Sequence, residues 1–190
     1  MILGSHNSWS FLPVKKWWMK PIAFTARCQR VDIQAQYEMG VRCFDLRVRF
    51  DGNILTLVHG EIEYRYDLTE LFFTLRWLDR QGDCYVRVLH DVRNRRQAGN
   101  SDTAEFRSFC SRLEEAHPHI RFWCGRNLYD WQVDYDFGIY PTCEERYASV
   151  CPPKLIDDWW PWLYARLHNR QILREGTDKE ILLIDFVDIK

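Results

Sequence analysis

The run Ile181-Leu182-Leu183-Ile184-Asp185-Phe186 constrains this chain more than any other segment. Four apolar residues in succession leave no polar face, which describes a strand buried on both sides. Such a strand needs partners along both edges and helices covering the sheet. That is the architecture of α/β proteins.

The remaining punctuation agrees with that reading. Residues 31–39 read as a helix stopped by Gly40, and 41–50 alternate β-formers with charges. Asp51-Gly52-Asn53 makes a tight turn into a second strand over 54–58. Asp67 caps a helix whose stripe is Leu68, Leu71, Phe72, Leu75 and Leu78, and Gly82 ends it. A strand over 84–89 ends at His90, a helix follows over 102–116, and a strand over 120–124. Residues 155–173 read as a long helix interrupted early by Pro161. With 190 residues and no repeats, low-complexity tracts or linkers, residues 1–190 are expected to form one domain, and the protein to be a monomer.

Composition narrows the function class. Hydrophobic content of 46% and charged content of 28% belong to a folded globular protein, and a net charge of −1 offers no basic field for nucleic acid. The seven cysteines stand singly at 28, 43, 84, 110, 124, 143 and 151, without metal-ligand spacing. They read as buried thiols in a reducing compartment. The first residues lack a basic segment followed by an apolar stretch, and no run approaches the roughly 20 apolar residues of a membrane span. A cytoplasmic protein, in contact with membranes only at their surface, is the expectation.

Several strands end in polar residues: His6, Asp45 with Arg47, His59, His90 and Asp185. In barrels of parallel strands, chemistry gathers at the carboxyl ends. Three of these ends carry more pattern than chance supplies. Gly4-Ser5-His6-Asn7-Ser8 is similar to a G-[ST]-H-[DN]-[ST] turn. Gly40 to Arg47 is similar to G-[VI]-R-x-[FL]-[DE]-[LI]-R, and Leu57-Val58-His59-Gly60 to a strand ending in H-G. In this order and at these separations, with Cys28-Gln29 and Asp32-Ile33 between them, they resemble the X-type catalytic domain of phosphatidylinositol-specific phospholipases C. The resemblance covers residues 4–90 and returns at Ile184-Asp185-Phe186.

The resemblance implies a small, irregular TIM-type (β/α) barrel with trimmed loops, because full barrels of this class run to about 250 residues. It also implies a reaction. A hydroxyl of the inositol ring attacks the neighbouring phosphorus, releasing diacylglycerol and leaving a cyclic inositol phosphate. His6 would be the general base, His59 the general acid, and Asp185 the carboxylate that orients His6. Imidazole suits both jobs because it gains or loses a proton near neutrality. Arg47 would hold the non-bridging oxygens with its fork, as bacterial members do in place of calcium. That makes a metal-independent enzyme with no cofactor, the alternative being calcium held through Asn7 and Asp45.

Asn7 departs from the bacterial pattern, which carries aspartate there to support the second histidine. Asp45, Glu61 and Asp91 are candidates to replace that charge. By the same resemblance His90, Arg126, Glu145 and Tyr147 would bind substrate, the alternatives being a satisfied rim histidine at 90 and a surface salt bridge between Glu145 and Arg146. Lys15-Lys16-Trp17-Trp18 sets indoles among lysines beside the first turn, as a rim touching a phospholipid membrane would. Trp159-Trp160-Pro161-Trp162 could form a facing rim, but a buried helical stripe is the preferred reading. Two other functions fit less of the pattern: a metal-dependent glycerophosphodiesterase-like barrel, and a lipid-headgroup module whose catalysis has decayed.

Overall fold

The computed structural model describes residues 1–51, 54–91, 103–128, 131–135, 147–149 and 160–190, with side chains described up to 125 and again from 160. The strands are β1 (Ile2–Ser5), β2 (Cys43–Asp51), β3 (Ile54–His59), β4 (Ile62–Glu63), β5 (Tyr85–Asp91), β6 (Arg121–Leu128), β7 (Trp131–Tyr135), β8 (Tyr147–Ser149) and β9 (Ile181–Ile184). The helices are α1 (Ile33–Glu38), α2 (Leu68–Gln81), α3 (Ala104–Ala116) and α4 (Pro161–Glu175), with a 3-10 helix over Trp17–Thr25.

One sheet runs β7-β6-β5-β2-β1-β9-β8. Neighbours are parallel except for the β6–β7 pair, while β3 folds back antiparallel on the end of β2. The apolar run of β9 lies between β1 and β8, as a doubly buried strand requires. Among the described residues β7 and β8 stand at the two ends and do not pair, so the sheet is open there and the expected barrel closure is not seen. Parallel order has one consequence for function. The carboxyl ends of β1, β2, β5 and β9 all lie at one rim.

Strand parity divides the two layers. On β2, Phe44, Leu46 and Val48 join the main core, with Leu71, Leu75 and Leu78 of α2 and Phe106, Phe109 and Leu113 of α3. The opposite face carries Cys43, Asp45, Arg47 and Arg49, all buried. Beneath the charged residues is a small apolar floor of Cys43, Tyr85, Trp123, Ile181 and Leu183. Gly4 is required there, because a Cβ on it would lie 2.3 Å from Leu183 Cδ2 and 3.1 Å from the Cys43 Cβ. Gly4→Ala is therefore expected to lose about 1–3 kcal/mol through overpacking, read as a lowered urea midpoint. An unchanged midpoint would show that β1 and β9 can part without loss.

Local chemistry sets the boundaries. The Asp32 side chain accepts from Ala35 N and starts α1, and Asp67 does the same for α2 through Thr69 N. Gly82 takes the left-handed conformation that closes α2. Pro161 begins α4 rather than interrupting a helix, since a proline at the first helical position gives up no internal hydrogen bond. No helix among the described residues is long and apolar enough to cross a membrane.

Candidate active site

His6 opens the turn after β1, and Asp185 follows the last residue of β9. Parallel pairing of Ser5 with Ile184 delivers the two side chains to the same place, although they are 179 residues apart. His6 Nδ1 lies 2.7 Å from Asp185 Oδ1, and both groups are buried. On the other side of the ring, Arg47 Nη2 is 2.6 Å from His6 Nε2. A guanidinium only donates, so Nε2 must present its lone pair and the ring proton must sit on Nδ1, donated to Asp185. That is the tautomer a general base needs.

Arg47 is itself held. Its Nε donates to Asp45 Oδ2 at 2.9 Å, the same oxygen that accepts from the Asn7 backbone N–H at 2.9 Å, while Arg87 Nη1 reaches Asp45 Oδ1 at 3.4 Å. Burial alone would push the Asp45 carboxyl up. The two guanidiniums, His6 and the Asn7 amide overcome that and hold it well below the ordinary carboxylate range. Arg47 is conversely held above its ordinary value, with Asp45 and Asp91 outweighing its burial and the repulsion of Arg87.

His59 ends β3 on the facing side, its ring centroid 5.6 Å from that of His6 and nearly perpendicular to it at 83°. Its Nδ1 is 3.0 Å from the Ala26 carbonyl, so the proton is on Nδ1 and Nε2 carries the lone pair. The Tyr64 hydroxyl donates to the same carbonyl at 2.8 Å. Asp91 supports the following residue, accepting from Gly60 N at 2.9 Å, and Arg49 binds the Gly60 carbonyl. Burial, then repulsion by Arg47 and His6, pushes His59 down to about 4; the Asp91 charge opposes this without cancelling it.

Buried amides fix the loops that carry these groups. Gln29 Nε2 donates to the carbonyls of Ile184 at 2.9 Å and His6 at 3.2 Å, and its Oε1 accepts from Val187 N at 3.1 Å. Asn169 Nδ2, on α4, donates to the carbonyl of Asp185 at 2.8 Å. Gln36 Nε2, on α1, donates to the Ser8 carbonyl at 2.8 Å. Asn7 and Phe186, next to the base and its aspartate, are the two non-glycine residues with positive φ among those described, at 41° and 46°. Such backbone persists where its surroundings over-determine it.

No protein-family model matches the sequence, and no curated protein matches it. Solved structures do. The phosphatidylinositol-specific phospholipase C of Listeria monocytogenes covers 97% of this chain and 87% of its own, with a TM-score of 0.58 at 11% identity. A single-site mutant of the phosphatidylinositol-specific phospholipase C from Staphylococcus aureus covers 97% and 84%, with a TM-score of 0.60 at 13% identity. Another form of that enzyme, from work on modulating its membrane binding, covers 97% and 85% at 0.54 and 12%. The fold is that of the bacterial phosphatidylinositol-specific phospholipases C.

On this fold the sequence-expected residues separate into three sets. His6, Asn7, Asp45, Arg47, His59 and Asp185 come together at the rim of the sheet. His90 does not join them. Strand β5 runs on to Asp91, so His90 shares the parity of Val86 and Val88, stacking on Phe106 at 4.7 Å and meeting Phe50 edge-on at 5.8 Å. It belongs to the layer under α3, opposite the face of Arg87 and Asp91. Glu145 and the side chains of Arg126 and Tyr147 lie outside the described residues. The sequence reading missed Arg87, Arg49 and the three amides. Arg87 alternates with Val86 and Val88 on an otherwise apolar strand, and that parity was the available signal.

The third set is the aromatic segment. Trp17 and Trp18 are 74% and 58% exposed on the 3-10 helix, joined by exposed Ile22 and Phe24. Lys15 and Lys16 both reach Glu63, at 3.5 and 2.7 Å. Trp160 is not part of a buried stripe: it is 42% exposed and packs its ring on Phe24 at 5.8 Å. Two segments far apart in sequence thus meet at Phe24 and Trp160, and the 3-10 helix is capped by Ala26, whose carbonyl anchors His59.

Proposed function

We propose that this protein is a metal-independent phosphodiesterase of the phosphatidylinositol-specific phospholipase C kind, acting on a phosphoinositide-type lipid at a membrane surface. The observation that carries this reading is the Asp185–His6–Arg47–Asp45 chain of contacts with His59 across from it. It offers a base, a fixed cation and an acid side by side, with the two imidazole ring centroids 5.6 Å apart.

In this reading Arg47, His6 and His59 act in turn. A lipid phosphate draws the Arg47 Nη atoms onto its non-bridging oxygens while Nε stays on Asp45, which uncovers His6 Nε2. That nitrogen takes the proton of a ring hydroxyl as its oxygen bonds to phosphorus. The bond from phosphorus to the glycerol oxygen breaks, and His59 in its imidazolium form gives that oxygen the proton on Nε2. Asp185 stabilises the imidazolium formed on His6. The exposed Trp17, Trp18, Phe24 and Trp160 seat the molecule on the headgroup layer. Closure of the sheet into a barrel, implied by the resemblance, goes with this reading.

Phosphorus NMR of phosphatidylinositol vesicles tests it. A cyclic phosphodiester formed in excess chelator is the expected result; no product, or product abolished by the chelator, would overturn it. Arg47→Lys is expected to lose most activity, because an ammonium cannot reproduce two parallel hydrogen bonds. Full activity would remove the bidentate role.

A pH profile gives a further check. An acid pushed to about 4 is largely unprotonated at pH 7, so kcat/KM in this mechanism should fall as pH rises toward neutrality. Asn7 lies beside Tyr64, whose hydroxyl shares the Ala26 carbonyl with His59. Asn7→Asp adds a negative charge there and should move the alkaline limb up by roughly one pH unit. A limb that stays in place would show that position 7 does not tune the acid.

A further inference from the structure

Cys28 takes no part in the acid–base scheme, yet it sits against it. Its Sγ is 3.5 Å from His59 Nδ1, and one ligand atom from each of His6, Cys28 and His59 lies within 4.8 Å of the others. We infer that these three residues form a site for a thiophilic divalent cation of the zinc class, and that an ion bound there shuts off both histidines.

Geometry is the first argument. Zinc bonds of about 2.1 Å to nitrogen and about 2.3 Å to sulfur give a tetrahedral N–S edge of about 3.6 Å. The Cys28–His59 pair already has that edge. Bringing the His6 nitrogen to the third corner takes a movement of about 1 Å, and the fourth corner stays open to water. His59, only half-buried, gives the ion its approach.

Ligand chemistry is the second. Two imidazoles and a thiolate suit zinc and its neighbours, and they do not suit calcium or magnesium, which take oxygen ligands. The supporting contacts are in place as well. Asp185 holds His6 Nδ1, as carboxylates behind metal-bound histidines do, leaving Nε2 for the ion. If His59 Nδ1 turns from the Ala26 carbonyl to the ion, the Tyr64 hydroxyl still satisfies that carbonyl.

Arg47 is the opposing charge. Its Nη2 must leave His6 Nε2 for the ion to bind, although Nε can remain on Asp45. The thiolate, Asp45 and Asp185 offset the charge of the ion and of the Arg47 guanidinium. The ion competes for the lone pair of the base, which makes it an inhibitor and not a cofactor. The inhibition rests on the phospholipase reading; the binding does not.

Cobalt(II) reports on the binding without any lipid. Titrated into the intact protein, it should give a near-ultraviolet thiolate-to-cobalt absorption that saturates at one equivalent and is displaced by zinc. The band should vanish in Cys28→Ser and weaken at least tenfold in His59→Asn, which keeps all seven cysteines. A thiol–imidazole hydrogen bond alone would give the same separation but no such band. Absence of the band, its survival in Cys28→Ser, or its indifference to His59→Asn would each overturn the site. If Cys28→Ser fails to fold, His59→Asn decides. On phosphatidylinositol vesicles, one equivalent of zinc should slow cleavage at least tenfold, and a chelator should restore it. A slowing below twofold with the cobalt band present would overturn the inhibition. A protein that cleaves nothing would remove the phospholipase reading, and the inhibition with it, while the cobalt band still decides the binding.

Discussion

His6→Ala is expected to lower the rate of lipid cleavage by about 10²–10⁴-fold, the usual loss when a positioned acid–base group is removed. The structure gives the reason. The Nε2 lone pair is produced by two contacts at once, Nδ1–H on Asp185 at 2.7 Å and Arg47 Nη2 at 2.6 Å, and alanine removes the ring that joins them. His59→Ala should cost a comparable factor from the leaving-group side. Single-turnover cleavage of phosphatidylinositol in mixed micelles measures both. Because the two act at one phosphorus, the double mutant should lose far less than the product of the single losses. A wild-type rate in either single mutant would take that residue out of the mechanism.

Asp45→Ala is expected to remove about 3–5 kcal/mol of stability, because it leaves the buried Arg47 and Arg87 without their shared carboxylate. The pH dependence has a definite sign. The Asp45 carboxyl titrates lower in the folded protein than in the unfolded chain. Its contribution is therefore complete above the ordinary carboxylate value of about 4 and drains away as pH falls below it. Urea unfolding of the wild type between pH 6 and pH 3 should show falling stability, and Asp45→Asn should flatten part of that fall. Equal slopes in the two proteins would show that the carboxylate carries no charge in the fold.

The polar strand ends were legible because parallel strands buried on both sides leave few places for charge. Asp45 and Arg47 alternate with Phe44, Leu46 and Val48, and parity alone puts the charged pair on the opposite face from α2 and α3. The meeting of His6 with Asp185 was not legible from spacing; it came from resemblance, and the register of β1 on β9 supplies its cause. His90 was misplaced by one step. The apolar letters of β5 stop at Leu89 while the hydrogen bonds run to Asp91, and a shift of one residue exchanges the faces of a strand. The roles of Gln29, Gln36 and Asn169 were not legible, because their partners are main-chain groups, and any backbone offers those.

The pairing of β1 with β9 also orders events in time. During synthesis, the histidine that would act as base precedes its aspartate by 179 residues, and that aspartate follows only after β9. Until then the imidazole has no carboxylate to fix its proton, and β1 is paired along one edge alone, with β2. A chain that has not yet added β9 lacks the carboxylate that fixes the His6 ring, and that group arrives as β9 pairs with β1.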